Sequence, residues 1–282
     1  MTLAEYPFIQ NIPFDIYLED AYQGQYLTSH FLSDFRVCPL LYRQKLNGEV
    51  IIDDTAAFQV GRATHALILG GQELFDEEYL VSAGPINPKT GEPFGKLTKA
   101  YKDWAAAQTK KIILSYEFDF MARLQESVWA HPKAAELLDG CVCEGSIRCE
   151  YRGEKVQIRM DAFNPNLKAI ADLKTCDNLD FFVNDCSKYG YAEQMAFYQD
   201  VFKTASGGIC PSVWLIAVEK RIPYRCGVWE IAPDMLAQAR ALNESALDEL
   251  KACRAQDVWP TRYEEVRTLT LPSRLKAIGE QN

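Results

Sequence analysis

Residues 155–175 read KVQIRMDAFNPNLKAIADLKT. The spans 155–163 and 167–175 are both strand candidates. Alternate side chains of a strand share a face, so Asp172 and Lys174 point one way and Leu173 points into the opposite layer. Asp161 lies in the preceding strand, with ten residues between it and Asp172. If the two strands are neighbours, the carboxylates converge. Convergent carboxylates are hard oxygen ligands of the kind Mg²⁺ takes. A lysine beside them can orient water and offset charge developing on a phosphate. The ordinary alternative is a surface acid bridged to a lysine on an edge strand. Against it, Asp172 and Lys174 follow the apolar run Ala169-Ile170-Ala171, and charge set against a core is costly unless compensated.

Outward from this segment, residues 141–151 (CVCEGSIRCEY) form a strand that turns at Arg152-Gly153 into 155–163, giving a hairpin. Residues 190–204 read as an amphipathic helix, 211–219 (PSVWLIAVE) as an apolar strand, 223–231 as its partner and 232–255 as a helix entered at Pro233. Before the hairpin, 29–46 is expected to be helical with a break at Pro39 and Ser29 or Ser33 as cap. Residues 54–69 form a buried helix capped by Asp54 and stopped by Gly70 and Gly71. Residues 78–83 make a short strand and 84–96 (GPINPKTGEPFGK) an exposed loop. Residues 97–138 are mostly helical, interrupted near Lys110 to Ser115. The expectation is one domain over 1–282. It has a mainly helical part to 140, a mixed α/β core over 141–260 and a tail over 261–282.

Three further features sit outside the hairpin. Gln194 and Tyr198 are four apart on one helix, hence on one face, as in any amphipathic helix with a half-buried tyrosine. His65 lies on an apolar helix, where a hydrogen-bonded core histidine is the commoner reading. Gly61, one turn earlier, leaves room for another backbone or a ligand. Glu144 lies in the strand before Asp161, where an acid is usually solvated.

Taken in order, Gly61-x3-His65, Glu144, Asp161-x10-Asp172-Leu173-Lys174 and Gln194-x3-Tyr198 resemble the RecB-like branch of the PD-(D/E)XK nucleases. Met160 stands where the motif's proline would be. Ser33-Asp34-Phe35-Arg36-Val37-Cys38-Pro39 and Tyr42 look like that branch's opening helix. Within the branch, CEGSIRCEYRGEKVQIRMDAF and ADLKTCDNLDFFVND are most similar to the RecE (exonuclease VIII) type. The resemblance covers roughly residues 29–220. It implies an α/β PD-(D/E)XK core, a mixed sheet flanked by helices, with an N-terminal helical layer. It also implies metal ligation by His65, Asp161, Asp172 and the Leu173 carbonyl, with Mg²⁺ as the ion and Mn²⁺ as a substitute. Lys174 would position the attacking water, Glu144 would line the site, and Gln194 and Tyr198 would steady the scissile phosphate.

The implied activity is removal of one strand from double-stranded DNA ends, from the 5′ end, in phage-type recombination. Implied partners are a single-strand annealing protein and further copies of the chain in a closed ring. An endonuclease or other repair nuclease is the first alternative. A non-catalytic DNA-binding protein on the same fold ranks lower, because Asp161, Asp172 and Lys174 are all present. Some members of the branch hold an iron–sulfur cluster. Cys38 matches the first ligand position, but Cys210, Cys226 and Cys253 are scattered, so no cluster is expected.

The chain has 282 residues, nine cysteines and a formal net charge of −9. No CxxC pair occurs, and the thiols read as reduced and mostly buried. The negative charge argues against a protein that coats DNA with its whole surface, so DNA contact must rest on local cations. Lys96, Lys99 and Lys102 are the first candidates, then Lys110 and Lys111 or Arg148 and Arg152. No apolar run reaches the ~20 residues of a membrane span and no secretory leader opens the chain. A cytoplasmic location with no membrane contact is therefore expected.

Overall fold

The computed structural model describes residues 5–50 and 56–269. Its centre is the hairpin read from the sequence. Strand β4 (Val142–Tyr151) pairs antiparallel with β5 (Glu154–Asn164). The turn is the two residues Arg152 and Gly153, both at positive φ (51° and 79°), the geometry that matches the twist of the flanking strands. Strand β6 (Ala169–Cys176) runs antiparallel to β5, and β7 (Ser212–Glu219) lies parallel to β6. Helices α8 (Phe182–Tyr189) and α9 (Tyr191–Ala205) supply the crossover that parallel neighbours require. Strand β8 (Cys226–Glu230) closes one edge against β7. The other edge is a two-residue strand, β1 (Ile9–Gln10), against β4. The order is β1-β4-β5-β6-β7-β8.

Helices cover both faces. On one lie α2 (Ser29–Val37), α3 (Pro39–Leu46), α9 and α10 (Pro233–Gln256). Leu32 and Phe35 of α2 are fully buried there, each contributing about 1.5–3 kcal/mol of transfer free energy. On the other lie α4 (Ala56–Glu78), α6 (Ser115–Ala130) and α7 (Pro132–Leu138), packed on Ala162, Ala171, Leu173 and Ile216. The N-terminal helices are thus divided between the two faces.

Several local expectations need correction. The cap of α2 is Thr28, whose Oγ1 accepts from the Phe31 amide at 3.2 Å; Ser29 is already helical. The break at Pro39 is present, as the start of α3. Gly71 (φ 71°) bends α4 but the helix resumes to Glu78, and the expected cap Asp54 lies outside the described residues. The interruption near Lys110 is a strand, β3 (Lys111–Leu114), parallel to β2 (Tyr79–Ser82) in a separate small sheet. Helix α1 (Phe14–Tyr22), β1 and α8 were not anticipated. Among the described residues no helix is long and apolar enough to cross a membrane.

Candidate active site

The site forms where the sheet comes apart. Cys143 pairs with Ala162 and Gly145 with Met160, which sets Glu144 opposite Asp161, yet that rung is missing. Glu144 has φ 56°, a conformation non-glycine residues seldom adopt. Between β5 and β6 the last rung is Ala162 with Ala171. One step further, the same register sets Asp161 opposite Asp172. Three carboxylates therefore stand side by side on three strands, each at a lapse in the ladder. The Leu173 amide donates instead to Asp161 Oδ2 at 2.7 Å, so a side chain replaces the missing strand partner. The Leu173 side chain is buried in the opposite layer, as alternation requires.

Asp172 is 2% exposed. Its Oδ2 has the Lys174 Nζ at 2.5 Å but no hydrogen bond of regular geometry. Its Oδ1 accepts from Gln194 Nε2 at 2.9 Å, while Gln194 Oε1 accepts from Lys174 Nζ at 3.1 Å. One amide from α9 thus grips both charged groups of β6. Gln194 Nε2 also reaches Tyr198 Oη at 3.3 Å, the contact expected of residues one turn apart. His65, from α4, brings Nδ1 to 3.5 Å from Asp161 Oδ2, beyond a direct hydrogen bond. A Cβ on Gly61 would meet nothing within 4 Å: no second backbone approaches there, and Gly61 instead lines a shallow cleft between α4 and α6.

The electrostatics follow from crowding. Burial, then the charges of Asp172 and Glu144, hold Asp161 well above the usual carboxylate range. Burial works against the Lys174 ammonium, but Asp172 and Asp161 outweigh it and raise its pKa. Lys174 is therefore a cation at neutral pH. Burial, then the Lys174 charge, pulls His65 down to about 4, leaving a neutral imidazole able to ligate. Burial also raises Glu144 against the opposing pull of Arg159, with which it is ion-paired. Burial keeps Tyr198 a neutral phenol.

This donor set suits a hard divalent cation. Carboxylate oxygens predominate, Asp172 is almost wholly buried, and the neighbouring imidazole is uncharged. Among the described residues no three His, Cys, Asp or Glu side chains converge tightly enough to cage an ion alone. A main-chain oxygen such as that of Leu173, and water, would complete the shell, as Mg²⁺ sites commonly do.

Beside Lys174 opens a cleft of about 430 Å³, walled by Ser29, His30, Ser33 and Arg36 of α2 and by Tyr191 and Gln194 of α9. Its α2 wall was overlooked as a unit, although Ser29, Ser33 and Arg36 follow one helical stripe legible in the sequence. Arg159, which pairs with Glu144 and donates to the Ile12 carbonyl at 2.6 Å, carried no signal beyond being a strand cation. Of the lysines that are first candidates for DNA contact, Lys99 and Lys102 share a helix and Lys96 does not. Lys96 precedes α5 (Lys99–Ala106) and pairs with Glu117 at 2.9 Å. Lys110 donates to the Asp76 carbonyl at 2.6 Å, and Lys111 pairs with Glu78 at 3.2 Å. Arg148 pairs with Asp20, and Arg152 with Glu244 and Asp248.

Comparisons with known proteins agree with this architecture. The solved structure of a candidate exonuclease from Eubacterium rectale superposes with a TM-score of 0.65 at 18% identity, over 95% of this chain and 98% of that one. That likeness is one of fold. A phage related exonuclease from Haemophilus somnus aligns at a TM-score of 0.37 and 15% identity, over 82% of this chain and 96% of its own, too low to carry weight. Curated protein sequences give no match. A family model matches residues 28–272, from the cap of α2 to beyond α10 and so across every site residue. The chain belongs to the family described as the PDDEXK-like domain of unknown function DUF3799.

Proposed function

We propose that this chain is a Mg²⁺-dependent deoxyribonuclease that removes nucleotides from the ends of linear double-stranded DNA. The observation that carries the reading is the grip of Gln194 on Asp172 and Lys174 beside Asp161, with Lys174 and Gln194 themselves lining an open cleft. His65, Asp161, Asp172 and the Leu173 carbonyl are the residues that would hold the ion. When bound, the ion offsets charge on the phosphate and lowers the pKa of water.

The chain's own groups do the rest. Lys174, a fixed cation, donates to the water that attacks phosphorus and to the phosphate oxygens as charge builds there. Gln194 keeps that ammonium from swinging away, and Tyr198 braces Gln194. Water adds in line to phosphorus as the bond to the leaving sugar oxygen breaks; the oxygen of water stays on the phosphate, a proton from water passes to the sugar oxygen, and one fragment ends in a phosphate and the other in a hydroxyl. Asp161 and Asp172 are crowded in the metal-free chain, and a cation relieves that crowding. Glu144, held by Arg159, faces the same gap and adds to its negative potential.

The finer reading follows the RecE-type resemblance: 5′→3′ polarity, a product strand passed to a single-strand annealing protein in recombination, and copies of the chain assembled in a closed ring. The test uses linear duplexes labelled separately at each 5′ and 3′ end, incubated with Mg²⁺, alongside a covalently closed plasmid. Early release of 5′ label with an intact plasmid is expected. Plasmid cleavage would make the chain an endonuclease. Binding without cleavage in any metal would make it a non-catalytic DNA-binding protein.

A further inference from the structure

A column of aromatic rings runs from the core to the mouth of the Lys174 cleft. Trp229 and the buried Phe182 have ring centroids 4.5 Å apart. Phe182 and Tyr191 follow at 6.0 Å, and Tyr191 and Tyr189 at 5.8 Å with ring planes 28° apart. Gly190 makes the outer step achievable. Its left-handed conformation (φ 69°) ends α8 and starts α9 in one residue, so that Tyr189 folds back beside Tyr191. The outermost ring is 54% exposed although it rests on an inner one. A ring so backed has little rotational freedom left to lose when something stacks on it.

A cation lies over each tyrosine ring, and the one over the outer ring is on a solvent-exposed side chain free to move aside. Lys174 Nζ lies 4.7 Å from the Tyr191 centroid and Lys188 Nζ 4.8 Å from that of Tyr189. A cation at the floor, a flat ring on the wall and a second cation at the rim match the parts of one nucleotide and the phosphate that follows it.

We propose that Tyr189 and Tyr191 form a stacking platform for the base of an unpaired terminal nucleotide whose phosphate meets Lys174. Within a duplex both faces of a base are covered by its neighbours, and only a terminal or splayed-out base offers a free face. The platform therefore takes a strand end, where the last base has a face free to stack. It is indifferent to base identity, because every base has a π-face. This inference rests on the nuclease reading and adds which part of the DNA the cleft holds.

The test is a duplex carrying 2-aminopurine at an unpaired 5′-terminal nucleotide, mixed with the protein in Ca²⁺ to hold the complex uncleaved. Fluorescence reports stacking and anisotropy reports binding. Tyr189→Ala and Tyr189→Phe are compared with the parent, and circular dichroism checks their fold. Quenching by the parent is expected, retained in Tyr189→Phe and lost in Tyr189→Ala with affinity at least about 5-fold weaker. A parent that binds without quenching, or a Tyr189→Ala variant that quenches and binds as well as the parent, overturns the platform and leaves the nuclease reading standing. A parent that neither binds nor cleaves any DNA sinks the nuclease reading itself.

Discussion

The Leu173 amide closes on Asp161 Oδ2 at 2.7 Å at the point where β5 and β6 stop pairing. The carboxylate is therefore held by one neutral donor and crowded by two acids, while Asp172 has the Lys174 ammonium against it. The two aspartates differ in what they do for the fold. Asp161→Asn keeps an oxygen for the amide and removes the repulsion, so the metal-free protein should melt higher. At this chain length about 1 kcal/mol corresponds to roughly 2–4 °C. Asp172→Asn takes the counter-ion from a part-buried lysine and should lower stability by about 1–3 kcal/mol. Both should lose at least about 100-fold in cleavage. Thermal melts in EDTA check the opposite signs, and equal shifts would refute the distinction.

His65 should leave a signature in acid. It takes up a proton near 6.5 when unfolded and near 4 when folded. A depressed folded value means that its stabilising contribution is complete above 6.5 and drains away as pH falls toward 4. Asp161, raised, works in the opposite direction, so the difference between parent and variant isolates the histidine. His65→Gln should lose less melting temperature than the parent across that window, measured without metal. A gap that stays constant with pH would show that the imidazole does not sense its surroundings.

Metal should act on the fold as well as on catalysis. Cleavage of linear duplex is expected with Mg²⁺ or Mn²⁺, little or none with Ca²⁺, and none in excess EDTA. Mg²⁺ at about 100 times its dissociation constant should stabilise by about 2.7 kcal/mol. That increment should shrink sharply in Asp161→Asn and in His65→Ala. Cleavage that survives chelation would end the mechanism.

Gln194 grips two residues, so its loss should be felt in turnover more than in binding. Gln194→Ala is expected to reduce kcat by about 10–100-fold with a smaller change in KM, because Lys174 loses its aim and keeps its charge. Tyr198→Phe, which removes only the brace behind Gln194, should cost less. A Gln194→Ala defect confined to KM would place this amide on the ground-state substrate.

Most of the sheet was legible because strand alternation and turn chemistry are local. The run 141–175 shows its register in its own apolar pattern, and Arg152-Gly153 announces the turn. What stayed hidden is non-local. Helix α1 carries only Tyr17 and Ala21 as buried residues, too thin a stripe to stand out. Strand β1 exists only because β4 offers it an edge. The site residues were named from their order along the chain, and the structure sets Asp161, Asp172, Lys174, Gln194, Tyr198 and His65 in one neighbourhood. The lapse in pairing that lets the carboxylates meet could not be read, since residues 142–151 and 154–164 look like uninterrupted strands. Nor could the partners of Lys96, Lys110 and Lys111, since those contacts join positions more than twenty residues apart in sequence.

The amide that closes on Asp161 makes a peptide hydrogen into a gauge. Backbone protons inside a sheet exchange with solvent deuterium only when strands separate. The Leu173 proton is retained by a titratable side chain instead. Its exchange should quicken when that carboxylate is protonated or drawn to a cation, while the amides of Ile170 and Ala171 beside it hold steady. Deuterium uptake at this single position then reports the charge state of Asp161 without a substrate, a label or a turnover.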